Sequence, residues 1–391
     1  MLDVVLFQLN DVQMKTILDP YLLLKNSLFL KSKEECALYT RQICTPHFKY
    51  IGGDLSLLPK YKELRAVYKN EENRPISNLL LFCGENGFNT IRCRLLVDPG
   101  KDLFVCQNME YVVSFAKEIK SLGFEFFLVI HYSDQFADSS LQKKPFEWND
   151  LLLDELQQKV YDYTCNVLTI LKENDVSPDL IQIGNGLQNG FLWKDGFLHE
   201  DYSANNKEWT RFLLLLKSAE KAIRKVLNHQ VNIIIGIDSL QDKERALEFF
   251  SRLMIGNIDF DTIGLSYRPY TDGNISGILD LIDNLLCLNG AKDILFTEVS
   301  IPYNSMGIPI GHREDLEFEP SIMGQKGALY NMISQIAHIP QVSGFIYWYP
   351  EETLVSEKNP FHLNYAGLFN NKSGQVMPAF SVFKLINRRC R

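Results

Sequence analysis

Eight short apolar or β-branched runs recur along the chain, separated by stretches with the period of amphipathic helices. The runs are Phe48–Asp54, Asn89–Arg94, Phe126–His131, Leu180–Asn185, Val231–Asp238, Phe260–Tyr267, Ile294–Glu298 and Phe345–Trp348. Phe126-Phe-Leu-Val-Ile130 is apolar without alternation, as a strand covered on both faces reads. Between the runs, Val112, Phe115, Ala116 and Ile119 share one helix face, closed by Gly123. Leu153, Leu156, Val160, Tyr163, Val167 and Ile170 step by three and four, with Asn149 as the expected N-cap. Phe212, Leu216, Ala219, Ile223 and Val226 line a third helix. Strands alternating with helices imply parallel βαβ units. Eight such units close into a (β/α)8 TIM barrel, with an open doubly wound sheet as the alternative. Residues 1–45 break the rhythm, with helical material from Val12 to Phe29 and the polar cluster Lys31-Ser-Lys-Glu-Glu35. The expected organisation is a mostly helical N-terminal extension over 1–45 and one barrel domain over 46–391.

Composition narrows the function classes. A hydrophobic share of 46% against 23% charged residues is too apolar for a disordered chain. The net charge of -8 argues against nucleic acid as a partner. Lys217, Lys221, Arg224 and Lys225 form a basic stripe, but Glu220 lies beside it and the stripe reads as a solvated outer face. No run approaches the roughly 20 apolar residues of a membrane-spanning helix, so no membrane association is expected. The start, Met1 to Asn10, has no basic segment ahead of its apolar run, hence no visible signal peptide. A cytoplasmic protein, or export by a signal-peptide-independent route, is the corresponding expectation. The eight cysteines show no CxxC, which suits reduced thiols. The histidines form no HExxH and no cluster with carboxylates, so no metal is expected. Gly184-Asn-Gly186-Leu-Gln-Asn-Gly190 follows a strand yet opens no amphipathic helix, which argues against a dinucleotide loop; no cofactor is expected.

A barrel carries its site at the C-terminal ends of the strands. Polar residues gather there: Arg92 and Arg94; His131, Asp134 and Asp138; Gln182 and Asn185; Tyr267 and Arg268; Thr297 and Glu298; Tyr347 and Trp348. Six such endings on one rim make a polar cleft edged by aromatics, suited to a sugar chain held by hydroxyl hydrogen bonds and ring stacking.

The same residues carry a resemblance. Gly53-Asp-Leu-Ser56, Asn89-Thr-Ile-Arg-Cys-Arg94 with Asp98-Pro99, His131-Tyr-Ser-Asp with Ala137-Asp138, Pro178 to Asn185, Phe260 to Tyr267, Thr297-Glu298, Tyr347-Trp348 and Ala366 to Asn370 resemble glycoside hydrolase family 53. The likeness runs over roughly residues 48–388, in order. It implies a (β/α)8 barrel, an endo-β-1,4-galactanase-like activity on a β-galactan-like oligo- or polysaccharide, and a retaining mechanism with two carboxylates. Glu298 matches the nucleophile position. The position of the acid/base glutamate is Gly186. Asp54, Arg92, His131, Asp134, Asp138, Asn185, Tyr267 and Trp348 are the implied substrate-binding residues. Leu96, Phe136, Gly236 and the segment Arg268 to Asp272 depart from the family's aromatic and histidine pattern. A catalytically impaired, carbohydrate-binding pseudoenzyme is therefore the expectation. The alternatives are an active retaining hydrolase whose acid has moved to a loop residue (His199, Glu200, Asp195, Asp272, Glu351 or Glu352) and a protein-interaction scaffold, such as a secreted effector.

Overall fold

Each of the eight runs forms a strand: β1 (Tyr50–Asp54), β2 (Thr90–Leu95), β3 (Glu125–Ile130), β4 (Leu180–Ile183), β5 (Asn232–Ile237), β6 (Thr262–Tyr267), β7 (Asp293–Val299) and β8 (Val342–Trp348). In the computed structural model these strands are parallel, pair in sequence order, and close where β8 returns to β1. The described residues are 48–100, 102–202, 206–288, 292–312, 316–354 and 365–389. The helical extension expected over 1–45 lies outside them.

Helices return the chain from the end of one strand to the start of the next. They are α1 (Leu58–Glu63), α2 (Leu79–Glu85), α3 (Met109–Ser121), α4 (Leu153–Glu173), α5 (Asn206–Leu227), α6 (Lys243–Ile255), the short α7 (Pro269–Asp272), α8 (Ile275–Leu286), α9 (Ile322–Ile336) and α10 (Ser381–Arg389). Asn149 does not cap α4. Phe146–Trp148 forms a 3₁₀ turn that buries Trp148, and the helix starts later, where Glu155 accepts the Leu152 N–H at 2.9 Å.

The continuous apolar runs are explained by two separate packing layers. In β3, Phe127 and Val129 point into the ring with Tyr50, Leu180, Ile234, Leu295 and Ile346. Phe126, Leu128 and Ile130 point outward and pack in the larger core with helix residues such as Phe115, Leu168 and Leu216. The inner set plugs the barrel beneath the rim, and the Arg92 guanidinium lies 5.5 Å from the Phe127 ring centroid. Cys83, Cys93, Cys106 and Cys165 are free thiols, whereas Cys287 is disulfide-bonded, a departure from the all-thiol expectation. Spacing along a sequence does not report which sulfurs the fold brings together.

Candidate functional site

Strand register sets the rim. Asp54 pairs with Arg92 of β2 on one side and with Trp348 of β8 on the other. A register shift between Leu265 and Ser266 brings Glu298 of β7 opposite Ser266 of β6, the kind of irregularity that re-aims a side chain.

Asp54, Arg92, Asn185 and Glu298 meet in one buried network. Arg92 is fully buried and its Nη1 donates to Asp54. Its Nη2 lies 2.9 Å from Glu298 Oε1 and 3.1 Å from Asn185 Oδ1. Arg94 lies 3.5 Å from Asp54 Oδ2 and donates to Ser56 Oγ at 3.1 Å. Its guanidinium sits between the rings of Phe136 and Tyr349, 4.5 and 4.6 Å from their centroids. Burial alone would raise the Asp54 carboxyl. Arg94 and Arg92, with the hydrogen bonds from Ser56, outweigh it and hold the group below its ordinary value.

Glu298 is held from the other side as well. Arg268, the residue after β6, places Nη2 at 3.1 Å from Glu298 Oε2. Each carboxylate oxygen therefore faces its own guanidinium. His131 accepts the Ala137 N–H on Nδ1 at 2.9 Å, which puts the proton of the neutral ring on Nε2. Burial, then the charges of Arg94 and Arg92, push its pKa well below the usual histidine value. Asn185 donates to the Ala137 carbonyl at 3.1 Å and accepts from Gln182 at 2.9 Å, fastening the loop after β3 to the end of β4.

Gly186 sits in the left-handed region, at φ +63°. A Cβ there would lie 2.4 Å from Asp238 Oδ2 and 2.7 Å from the Ser139 backbone nitrogen. The space beside position 186 is thus filled by the carboxylate of Asp238, which follows β5. Its Oδ2 accepts the Ser139 N–H at 3.0 Å and its Oδ1 accepts from Gln188. Gln188 also accepts the Asp238 N–H at 3.2 Å.

The other expected residues take different places. Asp134 accepts the N–H groups of Asp98 (3.0 Å) and Phe146 (2.7 Å), bracing the loop after β3. Asp138 is exposed and accepts from Ser140. Tyr267 is buried, and its hydroxyl donates to the Gly273 carbonyl at 3.0 Å. Trp348 is half-buried against Tyr349, 4.3 Å between ring centroids. Among the loop groups named as a displaced acid, His199 pairs with Glu208 and Asp195 with Lys144. Glu200 is exposed, and Glu352 accepts from Ala366 and Gly367. Asp272 accepts from the backbone of Arg268 and Leu240, and burial raises it to about 6 against those bonds. Glu351 is buried, and desolvation then Asp54 push its carboxyl well above the ordinary range. Sequence reasoning gave Asp238 no role, although it ends a strand run as the other rim residues do.

The family model for glycosyl hydrolase family 53 matches residues 50–383. The GH53 catalytic domain of Ignisphaera aggregans is 30% identical, superposes with a TM-score of 0.77, and the match covers 88% of this chain and 97% of that one. A structure from a study of two fungal β-1,4-galactanases is 25% identical with a TM-score of 0.75, over 86% and 99% of the two chains. A probable arabinogalactan endo-β-1,4-galactanase A of Aspergillus fumigatus is 29% identical over 324 residues, 80% of this chain and 87% of the relative. With the closed ring and Glu298 at the end of its seventh strand, the chain belongs to glycosyl hydrolase family 53.

Proposed function

We propose that this barrel binds a β-galactan-like glycan in the rim cleft and turns it over poorly or not at all. The observation that carries the reading is the glycine at position 186, whose side-chain space is already taken. Retaining hydrolysis needs a nucleophile and a proton donor about 5–5.5 Å apart, one on each side of the scissile bond. Glu298 supplies the first position. Gly186, at the position the resemblance gives to the donor, supplies no carboxyl. Asp238, the carboxylate next to it, accepts hydrogen bonds on both oxygens. Both oxygens are thus committed to Ser139 and Gln188. Without a general acid the rate falls by roughly 10²–10⁴-fold, because a sugar alkoxide leaves poorly. What remains can bind: the half-buried Trp348 offers a ring face for stacking, and the polar rim offers hydrogen-bond partners.

The test pairs calorimetric binding of β-1,4-galacto-oligosaccharides with chromatography of β-1,4-galactan digests. Measurable binding without product release is the expected result. Product release at rates usual for glycosidases would defeat the proposal. Asp238 gives the active-hydrolase reading a structural foothold, since it lies against position 186. If product is released and Asp238→Asn abolishes it, the acid has moved to β5.

A further inference from the structure

We propose that Arg268 is a second restraint on the cleft, independent of position 186, because it neutralises the very oxygen of Glu298 that Arg92 leaves free. The inference rests on reading Glu298 as the nucleophile. Arg92 already engages Glu298 Oε1 at 2.9 Å while also serving Asp54 and Asn185. Arg268 Nη2 engages Oε2 at 3.1 Å, and among the described residues this is the ion pair that Arg268 makes. The Arg268 side chain is 23% exposed and that of Glu298 4%, so the arginine is the more open partner of the pair.

The chemistry gives this contact a direction. When a glutamate attacks an anomeric carbon, its negative charge is spent as the new C–O bond forms, and the product ester is neutral. A cation on the attacking oxygen therefore stabilises the reactant more than the transition state. An interaction stronger in the ground state than in the transition state slows the step. Hydrogen bonds between charged groups are among the stronger ones in proteins, so removing this one is expected to speed attack tenfold or more. Arg268 acts through Glu298 and is a positioning residue. Its removal leaves Glu298 paired with Arg92, so no buried carboxylate is orphaned.

The experiment bypasses the missing proton donor. A 2,4-dinitrophenyl 2-deoxy-2-fluoro-β-galactoside carries a leaving group that departs as a phenolate without protonation. Glu298 bonds to C1 as the C1–O bond to the aryl group breaks, and the electron pair leaves with the phenolate. Adduct formation is followed by intact mass on the wild type, Arg268→Met, Arg268→Gln, Arg268→Lys and the double variant Arg268→Met/Glu298→Gln. The two neutral variants are expected to label at least tenfold faster. Arg268→Lys, which restores the charge, is expected to return towards the slow rate, and the double variant to take no label. With the non-fluorinated aryl galactoside the gain is expected in the rate of the pre-steady-state burst of dinitrophenolate and as a lowered KM, with kcat little changed, because the missing acid/base also slows hydrolysis of the glycosyl-enzyme. Neutral variants that fold, by circular dichroism, yet label no faster than the wild type would overturn the proposal. So would labelling of the double variant. Galactan hydrolysis by the wild type would instead count against the preceding proposal and leave this comparison readable.

Discussion

At the residue scale, Asp54 shows how a charge survives with no access to water. Its carboxylate is surrounded by Arg92, Arg94 and the two donors of Ser56, and the charges and hydrogen bonds together outweigh the desolvation penalty. Asp54→Asn keeps the shape and removes the charge, leaving Arg94 without its anion. A loss of about 3–5 kcal/mol, read from urea unfolding, is expected for breaking a buried pair in this way. Asp272 behaves in the opposite sense. Its native carboxyl holds a proton up to about pH 6, whereas an unfolded aspartate releases it near pH 4. Between those values the native state binds more protons than the unfolded one, so this group's contribution to stability falls as pH rises and is gone above about pH 6. Asp272→Asn cannot titrate. The advantage of wild type over this variant should therefore shrink by up to about 3 kcal/mol between pH 4 and pH 7, as measured by unfolding at both values.

At the element scale, the turn leaving β4 decides what position 186 can hold. Gly184, Gly186 and Gly190 all have positive φ, at 63°, 63° and 79°, a conformation that side chains with a Cβ rarely adopt. At Gly186 the obstacle is steric as well, since the Ser139 backbone nitrogen would stand 2.7 Å from a Cβ and cannot swing aside as a side chain could. Gly186→Glu is therefore expected to lower stability by about 1–3 kcal/mol and to leave galactan uncut. A glutamate that folds without loss and cleaves galactan would show that the turn relaxes freely. The strands themselves were legible because a parallel strand shielded on both faces leaves an unbroken apolar run such as Phe126 to Ile130. The start of α4 was not, because burial of Trp148 outbid the capping preference of Asn149. Asp238 was equally hidden. Nothing in its local sequence says that β4 and β5 lie side by side with position 186 beneath a carboxylate; that follows from three-dimensional adjacency alone.

At the scale of the whole molecule, closure of the ring depends on close backbone contact at its seam. A Cβ at Gly344 of β8 would lie 1.8 Å from the Tyr50 carbonyl oxygen of β1, so this position admits glycine and little else. Gly344→Ala should cost at least about 2 kcal/mol, seen as a lowered unfolding midpoint or loss of soluble protein. Eight strand runs and their helical spacers were enough to foresee the closed ring, since periodicity is a local property written into every segment. The ion network at the rim was foreseen only as candidate residues, since its pairings join side chains dozens to hundreds of positions apart. Arg268 to Glu298 is one such pairing. The inward layer of Tyr50, Phe127, Val129, Leu180, Ile234, Leu295 and Ile346 separates the two matters physically. Because that greasy stopper ties the staves together from below the charged mouth, substitutions above it that spare the Asp54 pair can retire or replace a reaction while the cask stays watertight.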